Sequence, residues 1–306
     1  MRVFVTGASG YIGGSIAQGL VERGGQVAGL TRSPERAREL EARKIEPVIG
    51  ELKSWTLLIE QARAADAVIN AADSDDVYAA GALVEGLRGS GKTLIHTSGT
   101  SIVGDMAAGE RSERVHTEDS ALEPRFEKAA RVAVDRHVLS AAHTGVRAIV
   151  VCPSMIYGEG LGLHEHSIQV PGLIRVSRQL GAGVHVGRGE NRWGNVHVRD
   201  LVDLYLLALD RAPAGSFFFV ESGETSLKEI AASISRMLGF TGRTRALSID
   251  EALEHWGPAA VHYSLASNSR VSAAKACAML GWQPSRPSIF DEIEKGCYAH
   301  AGRPAT

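Results

Sequence analysis

The chain is poor in cysteine, with Cys152, Cys277 and Cys297 the only three in 306 residues. They are odd in number and show no metal-type spacing, so no metal site is expected and the thiols read as reduced, as in a cytoplasmic protein. No apolar run approaches membrane-spanning length, and "MRVFVTGASG" shows no signal-peptide pattern. Neither sign of charge dominates: 33 Lys and Arg face 35 Asp and Glu, a net charge of -2 with a pI near 6.6. That balance offers no basic field for nucleic acid. There is no internal repeat and no low-complexity segment. A further absence bears on chemistry: no tyrosine occurs between Tyr78 and Tyr157.

What is present is an ordinary globular composition, 44% hydrophobic and 22% charged. Over the first 150 residues, short β-branched runs alternate with amphipathic helical stretches. "RVFVT", "QVAGL", "PVIG", "DAVINAA", "KTLIHTS" and "VRAIVVC" read as strands. "YIGGSIAQGLVERG" reads as a helix closed by Gly24 and Gly25, and "SPERARELEARK" as one capped by Ser33 with Pro34 in its first turn. This alternation implies an α/β fold, a Rossmann-type doubly wound parallel sheet. The regularity breaks after Pro153, which suggests a nucleotide domain over 1–155. A smaller, mostly helical substrate region, interleaved with the sheet, is expected over 156–306, with a frayed tail "HAGRPAT".

The first strand runs into Gly7-Ala8-Ser9-Gly10-Tyr11-Ile12-Gly13 and then a helix. Glycines in that place let the backbone turn sharply and approach a pyrophosphate, which sits at the positive end of the helix. A dinucleotide site is the expectation. The GxxGxxG spacing resembles the short-chain dehydrogenase/reductase superfamily, extended type, and further segments carry the likeness along most of the chain. "VIGEL", with Glu51 and Leu52, is similar to its adenine-contacting stretch, and Asn70, Ala71 and Ala72 to its stretch beside the cofactor. "VVCPSMIYGEG" resembles its Arg-Pro-x-x-x-Tyr-Gly segment, with Cys152 in the arginine's place. "GRGENRWGNVHVRDLV" and "SAAKACAMLGWQPS" resemble its substrate-side and closing segments. The resemblance implies cofactor contacts at Gly7, Ser9, Gly10, Tyr11, Ile12, Gly13, Asn70, Ala71, Ala72, Thr97, Pro153 and Met155.

An NAD site places a carboxylate at the end of the second strand, about 20 residues past the glycines. Here Thr31, Arg32 and Ser33 stand there, with Arg36 a turn further on. A guanidinium suits a phosphate and is misplaced against a bare ribose, so NADP(H) is favoured over NAD(H).

Members of the superfamily carry Ser or Thr, then Tyr-x-x-x-Lys. The tyrosine exchanges a proton with the substrate, the lysine lowers the phenol pKa, and the hydroxyl orients the carbonyl. Counting back from Gly145 puts Phe126 at the tyrosine position and Ala130 at the lysine position, while "HTSGTSIVG" puts Gly99 at the serine position. The chain thus resembles atypical subgroups that keep the nucleotide site and lose the catalytic set. Ser98, Thr100, His164 and His166 are the candidate replacements, and Lys128 is expected to face water. Gln169, Arg188, Asn191, Arg192 and Trp193 are candidate substrate contacts, and His197 and Asp200 are expected to hold that segment to the core.

These features suggest an NADPH-dependent reductase of a small imine, activated C=C or carbonyl. The alternatives are a non-catalytic NADP(H)-binding sensor and, less suited, a sugar-nucleotide epimerase or dehydratase. A homodimer through the Phe126 helix and the helix before it is expected by the same resemblance, with an intramolecular core face as the other reading of its small residues.

Overall fold

The computed structural model describes residues 1–300; the tail expected to fray lies outside the described residues beyond that point. Its centre is a seven-stranded sheet. The first five strands are β1 (Arg2–Thr6), β2 (Gln26–Thr31), β3 (Ile45–Ile49), β4 (Ala67–Asn70) and β5 (Thr93–Thr97). β6 (Arg147–Pro153) follows, and β10 (Ser216–Val220) completes the sheet from the second half of the chain. The order is β10-β6-β5-β4-β1-β2-β3, and every pair is parallel.

Strand alternation divides the core. Val3 and Val5 face one layer with Ile16 and Leu20 of α1 (Tyr11–Glu22), and with Leu201 and Tyr205 further along the chain. Phe4 faces the opposite layer. That layer is built by α3 (Trp55–Ala64), α4 (Val77–Leu87) and α5 (Phe126–Ser140), the last through Val134 and Val138. Both faces are covered, which is why these strands read as apolar runs. The expected cap of α2 (Pro34–Ala42) forms: Ser33 Oγ accepts from the Arg36 amide at 3.2 Å.

A second unit packs around its own core, with β7 (Met155–Tyr157), β8 (Gly183–Val186) and β9 (Arg192–His197) as its first strands. β11 (Gly223–Ser226) and β7 flank β9, and β12 (Thr244–Leu247) pairs with β8. α6 (Gln169–Leu180) and α8 (Leu227–Met237) are its first helices, whereas α7 (Val198–Arg211) returns to the sheet and packs on α1 in the first layer. Among the described residues, no helix is long and apolar enough to cross a membrane.

The chain winds from β1 to β3 in one direction, then returns to β4 beside β1 and continues the other way. In open sheets of this kind, ligands bind outside the carboxyl ends of the strands at such a reversal.

Candidate active site

Three loops meet at that reversal, those following β1, β4 and β5. In the first, Gly7 has φ +73°, and a Cβ on it would lie 2.6 Å from the Ala71 carbonyl oxygen. A Cβ on Gly13 would lie 2.4 Å from the Gly7 carbonyl oxygen. Only glycine permits this approach of turn, helix and neighbouring strand. Gly10 occupies the N-cap of α1, no side chain caps the helix, and no acid stands in its first turn. An uncapped helix start beside a tight glycine turn is a seat for an anion.

The other residues at this end are placed in several ways. Arg36 Nη1 donates to the Ser9 carbonyl at 3.4 Å, so one arginine braces the glycine turn. Arg32 is exposed and makes no hydrogen bond or ion pair with the described residues. Thr31 is buried, and its Oγ1 accepts from the Ser33 amide at 3.4 Å. Ile12 packs against the core, while Tyr11 donates from its phenol to the Gly158 carbonyl at 2.8 Å. That bond, with Ser15 Oγ accepting from the Leu161 amide, docks the "EGLGLHEH" loop on the start of α1. Glu51 is exposed, Leu52 packs in the layer under α3, and Pro153 and Met155 are buried.

Beneath the loops lies a chain of buried polar groups. The Ala71 amide donates to Thr6 Oγ1 at 3.2 Å, and that hydroxyl donates to Asn70 Oδ1 at 2.6 Å. Asn70 Nδ2 meets His96 Nδ1 at 3.0 Å. His96 Nε2 faces Asp135 Oδ1 at 3.7 Å, and Ser98 Oγ donates to Asp135 Oδ2 at 2.7 Å. Burial holds His96 neutral, with its pKa lowered to about 4. Burial also raises Asp135, to about 6, against the lowering pull of the Ser98 hydroxyl and Arg131. Thr97 shares a 2.7 Å hydrogen bond with the Tyr205 phenol, and Thr100 is buried with its hydroxyl unpaired.

The face of α5 differs from the expected one. Phe126 is 92% exposed and Ala130 is exposed, so neither points to the loops. Arg131, one residue on, does. Its Nε and Nη2 donate to the two oxygens of Asp75 at 2.8 and 2.5 Å, and its Nη1 donates to Ser101 Oγ at 3.2 Å. A Cβ on Gly99 would lie 3.3 Å from that same Nη1. The count from Gly145 slips because α5 ends at Ser140 and a 3-10 turn, Ala141–Thr144, intervenes. A slip of one residue turns a helix by about 100°. One residue on from Phe126 and Ala130 stand Glu127 and Arg131, and neither is a tyrosine or a lysine.

Lys128 is half-buried, with Nζ 4.9 Å from the centre of the Tyr263 ring. His164 and His166 are exposed on the loop docked against α1 and share no hydrogen bond with the Ser98–Thr100 turn. Asn191 and Trp193 are buried staples rather than free contacts. Asn191 Nδ2 donates to the Leu265 and Ser267 carbonyls, and Trp193 Nε1 donates to Ser267 as well. Arg192 is paired with Glu224 at 2.8 Å, Arg188 is exposed and paired with Glu190, and Gln169 opens α6 half-buried. His197 caps α7, and Asp200 accepts from the Ser285 and Arg286 amides.

Residues that sequence reasoning missed are Asp75, His96, Arg131, Asp135 and Tyr263. One signal was available: Lys128, Arg131, Asp135 and Val138 are spaced three and four apart, so charge lies along a face that Val138 anchors in the core.

Comparison with known proteins agrees with this architecture. Residues 3–218 match the NAD dependent epimerase/dehydratase family. The oxidase ucsJ of Acremonium sp is 33% identical over 96% of this chain and 95% of its own. A Stigmatella aurantiaca protein is 27% identical, covering 73% of this chain and 69% of its own. It is named 4-hydroxy-2-methyl-3-oxo-4-farnesyl-3,4-dihydroquinoline-1-oxide ketoreductase. Among solved structures, DesIV, a dTDP-glucose 4,6-dehydratase of Streptomyces venezuelae with NAD and TYD bound, superposes with a TM-score of 0.77. The two share 20% identity over 98% of this chain and 97% of that one. Fold, glycine turn and family match converge: the chain is an enzyme of the extended short-chain dehydrogenase/reductase type and belongs to the NAD dependent epimerase/dehydratase family.

Proposed function

We propose that the chain is an NADP(H)-dependent oxidoreductase that reduces a small organic substrate without the usual Tyr/Lys pair. The observation that carries the cofactor choice is the unpartnered Arg32 guanidinium at the end of β2, with Arg36 braced on the glycine turn. A 2′-phosphate is the group such a pair fits, and no carboxylate stands at the end of β2 to bind a ribose hydroxyl. The cradle fits a dinucleotide for a second reason: the Gly7 and Gly13 contacts leave the α1 amides open. Gly7, Ser9, Gly10, Ile12 and Gly13 would hold the pyrophosphate, and Asn70, Ala71, Ala72, Thr97, Pro153 and Met155 would line the remainder. When bound, the nicotinamide supplies a hydride.

The substrate seat begins at the turn after β5, where Arg131 reaches Ser101, and continues into the adjoining cleft lined by Ile102, Val103, Gly104, His116, Arg125 and Arg270 among others. His116 is buried there with Nδ1 unpaired, which suits a hydrogen bond to a bound polar group. The protomer pairs with a second copy through the outer surface of α4 and α5, where Tyr78 and Phe126 stand exposed. Steady NADPH consumption with a panel of enones, ketones and imines tests the assignment. Tight NADPH binding with no turnover of any member would overturn it.

A further inference from the structure

Arg131 stands on α5 and reaches across the loops that follow β4 and β5. Its side chain is 14% exposed, so it is neither a surface charge nor a sealed core group. Asp75 takes up Nε and one hydrogen of Nη2 in a fork that fixes the plane of the guanidinium. The Nη1 edge points past Ser101 to Gly99, and the 3.3 Å gap shows that a larger residue at 99 would press on it. Glycine at this position therefore admits the guanidinium. Nη1 carries two hydrogens, and Ser101 uses one. Lys128, three residues earlier on the same helix, adds a second cation, and Arg125 shares the Tyr263 ring with it at 4.6 Å.

We propose that the Nη1 edge of Arg131, fixed by Asp75 and admitted by Gly99, holds the oxygen of a substrate that becomes anionic on reduction, which makes the substrate an α,β-unsaturated carbonyl compound. This rests on the oxidoreductase reading above. When a hydride adds to the β-carbon of such a compound, a C–H bond forms there. The C=C pair shifts toward the carbonyl carbon, and the C=O pair moves onto oxygen, leaving an enolate. The guanidinium holds that oxygen with a charge-assisted hydrogen bond, and water then protonates the α-carbon, leaving hydroxide to the solvent. A simple ketone fits less well, because its alkoxide demands a proton in the same step and a guanidinium does not give one up. An iminium fits worst, because it brings a positive charge to Arg131 and Lys128.

The probe is 4-nitrophenol, whose absorbance reads its ionised fraction at a fixed neutral pH. Titrated into the protein with and without NADP(H), the phenolate should bind about tenfold or more tightly than the neutral phenol. Arg131→Met should abolish that preference, Arg131→Lys should keep part of it, and Gly99→Ser, which displaces the guanidinium, should reduce it. NADPH fluorescence on the same samples shows that each variant is folded. Equal binding of the two phenol forms, or an unchanged preference in Arg131→Met, overturns the proposal. So does a loss of NADPH affinity in Arg131→Met with the preference intact, which assigns Arg131 to the cofactor. Failure of the wild-type protein to bind NADPH would sink the cofactor reading alone, since the titration without cofactor still decides the role of Arg131.

Discussion

His96 Nε2 and Asp135 Oδ1 face each other at 3.7 Å, and neither atom has a hydrogen-bond partner. Both residues are buried, on β5 and α5, and each titrates away from its ordinary range in the opposite direction. His96, lowered to about 4, makes folding less favourable as pH falls from 6.5, because the unfolded chain takes up the proton first. Asp135, raised to about 6, does the reverse: the folded state takes up the proton first, so stability is gained as pH falls from 6 toward 3.8. The two swings oppose each other.

Asp135→Asn should therefore expose the loss due to His96. Relative to wild type, its Tm should drop progressively between about pH 6 and 3.8, where Asp135 takes up its proton first in the folded state. His96→Gln should gain relative to wild type between about pH 6.5 and 4. Parallel Tm–pH curves for wild type and Asp135→Asn would show that these groups do not titrate as described.

Gly13→Ala places a methyl group 2.4 Å from the Gly7 carbonyl oxygen, which is backbone held between the sheet and α1. The turn must open to accept it. Thermal unfolding should register a loss of about 1–3 kcal/mol, and NADPH affinity should drop with it. A variant that binds NADPH like wild type would remove the glycine turn from the cofactor site.

Phe126 is 92% exposed, and Tyr78 on the adjacent helix is 66% exposed and stacked on Trp55 at 5.2 Å. Light scattering should find a dimer for the wild type and a monomer for Phe126→Asp. The monomer's own stability should change by less than about 0.5 kcal/mol, as for other exposed substitutions. NADPH affinity should be unchanged, since Phe126 does not reach the site. A wild-type monomer, or a dimer in Phe126→Asp, would exclude this surface as the interface.

Local features were legible in the sequence and distant ones were not. The glycine turn depends on Gly7, Gly10 and Gly13 within seven residues, and the Ser33 cap depends on neighbours three residues away. Such spacings carry their geometry with them. The working face of α5 was misread because it was counted through a segment whose winding changes from α to 3-10. Asn191 and Trp193 looked like substrate contacts, but their partners lie at Leu265 and Ser267, more than 70 residues on. Tyr263 could not be placed beside Lys128 from spacing at all, because only the tertiary fold brings the second unit against α5.

The central claim is an NADP(H) site anchored by Arg32, and dissociation constants for NADPH and NADH measured side by side test it most directly. NADPH should bind at least about tenfold more tightly, with Arg32→Ala abolishing the difference by weakening NADPH while leaving NADH unchanged. Equal affinities in the wild-type protein, or a preference that survives Arg32→Ala, would contradict it.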